Sequence, residues 1–135
     1  MSIAVAASEL KIGVGVVDHE HGELMSALCD LEAAVAADQE RGAIGALLER
    51  LEGRTMVHFA TEEGMMSTSN YPGRGLHGIK HQYLTEQMKS LVARFERGSF
   101  NINRHTIVFL RDWLTTHMQK EDLQFGLWLN EHGKR

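Results

Sequence analysis

The chain has 135 residues, enough for one hydrophobic core and too few for two. It is 43% hydrophobic and 24% charged with a net charge of −4, which excludes a polycationic nucleic-acid binder, and its one cysteine excludes an intramolecular disulfide. No apolar run approaches the roughly 20 residues that span a bilayer, and Met1 to Leu10 lack the basic start and cleavage site of an export signal, so a cytoplasmic protein with no membrane or nucleic-acid partner is expected.

An irregular arm with Gly13 and Gly15 precedes the first helical segment, which the sequence predicts to start at Asp18 as N-cap. Glu20 and Glu23 then fall in its first turn, where the helix dipole favours anions, and its apolar stripe reads Leu24, Leu28, Leu31 and Val35. A break from Ala37 to Gly42 leads to a second stripe of Ile44, Leu47, Leu48, Leu51, Thr55, His58, Glu62 and Met65. The next break, Ser67 to Gly75, holds Pro72, and the third stripe reads His77, His81, Leu84, Met88, Leu91 and Phe95. After Arg97 to Arg104 the fourth reads Ile107, Leu110, Leu114, His117, Phe125 and Leu129. Steps of three and four residues bury one face of a helix, and no strand-like alternation of any length is present. The expected fold is all-α: one domain over residues 1–135, an antiparallel up-down-up-down four-helix bundle with an irregular N-terminal arm.

The polar residues on these stripes carry the chemistry. His58 and Glu62 are four apart and share one helix face, and His77 and His81 repeat that spacing. His21 lies three residues before Leu24, in line with the first stripe. His117 and Asp122 are five apart, which on an α-helix places them on opposite edges of the core face. One histidine on an apolar stripe is ordinarily a hydrogen-bonded core residue. Seven inward-facing donors, His21, His58, Glu62, His77, His81, His117 and Asp122, are a different matter. Burying them unpaired costs several kcal/mol per ionised group, and no basic residue on the stripes offsets it. A bound cation does, and two ions sharing carboxylates use donors that one ion would leave idle. Imidazole and carboxylate donors without thiolate leave iron, manganese and zinc as candidates, zinc the least suited because it usually takes four ligands.

The segments VDHEHGEL at 17–24, HFATEEGMM at 58–66, HGIKH at 77–81 and HMQKED at 117–122 resemble the motifs of the hemerythrin family, in that family's order and approximate spacing, from about Ile12 to Leu129. The resemblance implies a non-haem di-iron centre. His77, His81 and His117 would bind one iron and His21 and His58 the other, with Glu62, Asp122 and a hydroxide or oxide as bridges. The second iron would keep one open position, for reversible binding of dioxygen. An apolar wall would then exclude water, with Leu24, Leu28, Phe59, Leu114 and Trp113 as candidates. A carrier, store or deliverer of oxygen acting as a monomer, with a redox enzyme as recipient, is the expected function. An oxygen or nitric oxide sensor module, or a di-iron peroxide or nitric oxide reductase, is the alternative.

Unlike many family members, the chain has no tryptophan before Trp113, and Arg54 sits one turn before His58 where an aromatic residue is expected. Arg54 is expected to snorkel from the edge of the stripe. His19, His105 and His132 fall off the stripes and should be exposed, Met65 and Met66 should fill core, and Cys29 should be half-buried. Glu63, about 100° around the helix from Glu62, is expected in solvent. No nucleophile–base pair or phosphate-binding glycine loop supports hydrolase or dehydrogenase chemistry.

Overall fold

The computed structural model describes residues 9–133. Among them there is no strand, and the helices are α1 (Gly15–Ala36), α2 (Arg41–Thr68), α3 (Arg74–Glu96), α4 (Arg104–His117) and α5 (Leu123–Glu131). A π-helical turn, Met118–Asp122, joins α4 to α5 without a break, so these two form the fourth rod of the bundle. The arm upstream of α1 is described only from Glu9, so the expectation of no export signal in Met1 to Leu10 lies largely outside the described residues. No helix among the described residues is long and apolar enough to cross a membrane.

The alternation of helix direction is visible in how the core is layered. One apolar cluster takes Leu24, Leu28 and Leu31 from α1, Leu48 and Leu51 from α2, Met88, Leu91 and Phe95 from α3, and Ile107, Leu110 and Leu114 from α4. A second takes Val17, Met66, Tyr71, Phe125 and Leu129, together with Ile12 and Val14 of the arm. Along the chain, α1 leaves the second cluster for the first, α2 returns, α3 leaves again and the α4–α5 rod returns. The candidate ligands fall between the two clusters on every rod, as a polar layer within an otherwise apolar interior. All of the expected stripe residues on α3 and on the fourth rod are buried. On α2, Met66 rather than Met65 is the fully buried methionine, while Met65 packs at the edge of the second cluster.

Three helices end by the same device. Asp38, Asn70 and Gly98 adopt φ of 54°, 57° and 78°, each two residues beyond its helix. In that left-handed conformation the next residue's N–H reaches back over the last turn: Gln39 to the Ala34 carbonyl, Tyr71 to Met66 and Ser99 to Arg94. These are Schellman motifs, which satisfy carbonyls that the helix end would leave unpaired. They make the connections tight, and the three predicted breaks shorten to 37–40, 69–73 and 97–103. α4 opens on a capping box, where the Asn103 side chain accepts from the Thr106 N–H at 3.1 Å.

Two expectations about helix geometry are corrected. First, α1 starts at Gly15, three residues before Asp18, and its N-cap Val14 has no capping side chain. Asp18 instead accepts from the Ile12 N–H at 2.7 Å, tying the arm to α1. Second, His117 and Asp122 do not lie on opposite edges of one face. Five α-helical residues rotate a side chain by roughly 140° beyond a full turn, whereas a π turn takes up one extra residue and restores the register. His117 Nε2 and Asp122 Oδ1 are consequently 2.9 Å apart.

Candidate metal centre

All seven predicted donors meet in the polar layer. His21, His58, His77, His81, His117, Glu62 and Asp122 are each exposed by 3% or less. Their donor atoms fall into two groups with shared members: Glu62, His77, His81, His117 and Asp122 in one, His21, His58, Glu62 and Asp122 in the other. Asp122 faces both groups with different oxygens. Oδ1 lies 3.0 Å from His77 Nε2 and 2.9 Å from His117 Nε2, and Oδ2 lies 2.8 Å from His21 Nε2 and 3.1 Å from His58 Nε2. Glu62 Oε1 lies 3.1 Å from His81 Nε2 and 3.3 Å from His58 Nε2. Its Oε2 is buried with no hydrogen-bond partner among the described residues.

For four of the five histidines the outer ring nitrogen explains why Nε2 points inward. His21 Nδ1 is 2.8 Å from the Leu10 carbonyl, His58 Nδ1 2.9 Å from Glu20, His81 Nδ1 3.0 Å from Glu63 and His117 Nδ1 3.2 Å from Glu121. An acceptor at Nδ1 assigns the proton there and leaves Nε2 as a lone pair. Lone pairs then confront one another: Nε2 to Nε2 is 3.1 Å for His21 and His58, and 3.1 Å for His81 and His117. Such a cluster is repulsive until protons or cations enter it. An orphaned carboxylate oxygen, opposed imidazole lone pairs and burial from water together fit a pair of cations held by nitrogen and oxygen donors.

Without cations, protons do part of the work. Burial opposes charge on His58, but hydrogen bonds to Asp122 and Glu20 and the charges of Glu62 and Asp122 outweigh it, raising its pKa to about 10. Burial, then the charges of His117 and His77, lowers His81 to about 2. Burial and the neighbouring Asp122 hold Glu62 well above the usual carboxylate range. Burial also acts to raise Asp122, yet hydrogen bonds from His117, His21, His58 and His77 bring it well below. In the metal-free centre Asp122 and His58 thus form an ion pair, and Glu62 beside them is biased toward its neutral form.

The apolar surroundings follow expectation in part. Phe59 stacks on the His81 ring at 4.0 Å between centroids, and Leu24, Leu28 and Leu114 are buried in the first cluster, whereas Trp113 is only partly buried at its edge. Arg54 does snorkel: it leaves the core to pair with Glu23. His19, His105 and His132 are exposed and Cys29 is half-buried, as expected. Burial pushes the Cys29 thiol up, so it is not an activated thiolate. Glu63 corrects its expectation: although its side chain is 52% exposed, it does not merely face solvent but spans from α2 to His81 on α3. The sequence reading missed Glu20, Glu63 and Glu121 as histidine partners. Each directly neighbours a candidate ligand in sequence (His21, Glu62 and Asp122), the one signal that could have found them.

A family model described as the hemerythrin HHE cation binding domain matches residues 12–129. The chain is 31% identical to the bacteriohemerythrin of Methylococcus capsulatus over 89% of this chain and 91% of that one. It is 28% identical to the bacteriohemerythrin of Stenotrophomonas maltophilia, over 98% of this chain and 85% of that one. Among solved structures, wild-type hemerythrin superposes with a TM-score of 0.86 at 29% identity, covering 92% of this chain and 95% of that one. A leucine-to-alanine mutant of hemerythrin gives 0.88 at 28% identity, covering 93% and 96%. Since the family model spans both apolar clusters and the polar layer between them, this chain belongs to the hemerythrin family.

Proposed function

We propose that this protein binds dioxygen reversibly at a non-haem di-iron centre, for carriage, storage or delivery. One observation carries the reading: the two donor groups share Glu62 and Asp122 but are unequal, three histidines against two. His77, His81 and His117 would hold one ion and His21 and His58 the other, with Glu62 and Asp122 shared between them. The group with two histidines offers its ion fewer protein donors and would be the side that takes a small exogenous molecule. When bound, the iron pair supplies two electrons reversibly to dioxygen. The residues of this chain hold the pair in register, and Asp122 contributes one oxygen to each side. Phe59, Leu24, Leu28 and Leu114 keep the surroundings apolar, which restrains water and stray protons from driving the electron transfer to completion. Residues 1–135 act in this reading as a single domain and as a monomer, with a redox enzyme as recipient of the oxygen.

The test is iron content with a visible spectrum, in air and after anaerobic reduction. Two irons per chain and an oxygen-dependent charge-transfer band that reverses when oxygen is withdrawn are expected. Two irons with turnover of peroxide or nitric oxide and no reversible band would replace the carrier reading with a reductase, and absence of iron from the folded protein would overturn both.

A further inference from the structure

The histidines of the centre differ in what holds their outer nitrogen. His21 is held by a backbone carbonyl, whereas His58, His81 and His117 are held by the carboxylates of Glu20, Glu63 and Glu121. The three carboxylates are not equivalent. The Glu63 side chain is 52% exposed and that of Glu121 26%, while Glu20 is exposed by only 13%. Glu20 is also fixed at both oxygens: Oε1 lies 2.9 Å from His58 Nδ1, and Oε2 accepts the Thr61 hydroxyl at 2.8 Å. It crosses from α1 to α2, so its hold on His58 also fixes the two helices relative to each other at the level of the centre.

We propose that Glu20 is a positioning residue of the metal centre. By accepting the His58 Nδ1 proton it fixes the ring with its Nε2 lone pair toward Asp122 and strengthens that nitrogen as a donor to the ion that has only two histidines. This rests on the di-iron reading above. A charged acceptor on Nδ1–H pushes electron density onto Nε2, which favours the higher oxidation state of the metal it binds. The effect grows as water is excluded from the hydrogen bond, which ranks Glu20 above the water-screened Glu63. Glu23 supplies the internal comparison. It lies one turn along α1 and lines the same cavity as Glu20, but it pairs with Arg54 and touches no histidine of the centre.

The experiment compares Glu20→Gln, Glu23→Gln and Glu63→Gln in the full chain. Glutamine keeps an acceptor for Nδ1–H while removing the charge. Zinc affinity by chelator competition, the midpoint potential of the iron-loaded protein, and the His58 Nδ1–H resonance of the zinc-loaded protein are measured together. For Glu20→Gln we expect two ions still bound, zinc affinity at the weaker site reduced about 10- to 100-fold, a raised midpoint potential, and an upfield shift of the Nδ1–H proton. Glu63→Gln, which acts on His81 of the other donor group, should raise the midpoint potential by less and leave the His58 Nδ1–H resonance and the zinc affinity of the weaker site unchanged, and Glu23→Gln should move none. Thr61→Val, which frees one Glu20 oxygen, should act like a weakened Glu20→Gln and serves where that variant loads poorly. Wild-type readouts in both Glu20→Gln and Thr61→Val, or equal shifts from Glu23→Gln, would overturn the proposal. A wild-type chain that fails to load two ions would overturn the di-iron reading instead, and the zinc and resonance data distinguish the two failures.

Discussion

Gly126→Ala should loosen the N-terminal arm and, through it, one side of the metal centre. A Cβ at Gly126 would stand 2.3 Å from the Ile12 carbonyl oxygen and 2.7 Å from Ile12 Cβ, and backbone cannot yield as a flexible side chain would. The arm must lift. Ile12 is 3% exposed and its N–H is bound to Asp18, so lifting it forfeits the burial of one aliphatic side chain and one hydrogen bond. At about 1.5–3 kcal/mol for the side chain and about 1 kcal/mol for the hydrogen bond, the loss is on the order of 3 kcal/mol. For a domain of this size that lowers Tm by roughly 10 °C. Two residues upstream, the Leu10 carbonyl that fixes His21 moves as well. On the proposed ligand set the affected ion would be the one that His21 and His58 hold, while the side of His77, His81 and His117 would keep its full set. Differential scanning calorimetry of the metal-free protein and stepwise metal titration check the two parts. A Tm within about 2 °C of wild type, together with two equally tight ions, would refute the claim that the arm is clamped against α5 and supports His21.

The remaining predictions concern the centre itself. Asp122→Ala removes the side chain that presents a different oxygen to each donor group and should abolish paired, magnetically coupled iron, whereas His105→Ala should leave iron content unchanged. Deleting Lys120, an exposed residue of the π turn, should convert that turn to α-helix and keep His117 and Asp122 on one face, so two ions should still bind; loss of both would show that the π turn is itself required. In the metal-free protein the raised pKa of His58 contributes stability that is fully present below 6.5 and lost as pH rises through about 10. Raised Glu62 acts in the same direction, so Tm of the metal-free protein should fall across that window, while that of the iron-loaded protein, in which a metal would take the place of the His58 proton, should fall less.

The helices and their inward faces were legible because burial imposes steps of three and four residues, and Leu24 to Val35 or His77 to Phe95 keep those steps throughout. The convergence of seven donors was legible for the same reason, since each lies on a stripe. What escaped lies off the stripes. Glu20, Glu63 and Glu121 point about 100° away from the ligands beside them, and only the packing of neighbouring helices decides whether such a side chain reaches water or an imidazole. The π turn left one trace, the five-residue step from His117 to Asp122 between positions that both had to face inward. An α-helical reading of that step split the pair; requiring both to face one centre would have called for the extra residue. The start of α1 was misplaced because Asp18 carries the side chain of an N-cap but uses it on the arm.

The polar layer also bears on how the molecule holds together. It cuts the oily interior into two compartments, one of Leu24, Leu48, Phe95 and Leu114, the other of Val17, Met66, Tyr71 and Phe125, with the candidate ligands and Phe59 between them. Emptied of metal, the two ends are joined by helix backbone and a proton-dependent network. Filled, the proposed ligand set would rivet all four rods at mid-height. Loss of iron should therefore do more than silence the centre: it should let the two halves of the bundle breathe independently, with amide exchange rising first in the smaller compartment that the arm covers.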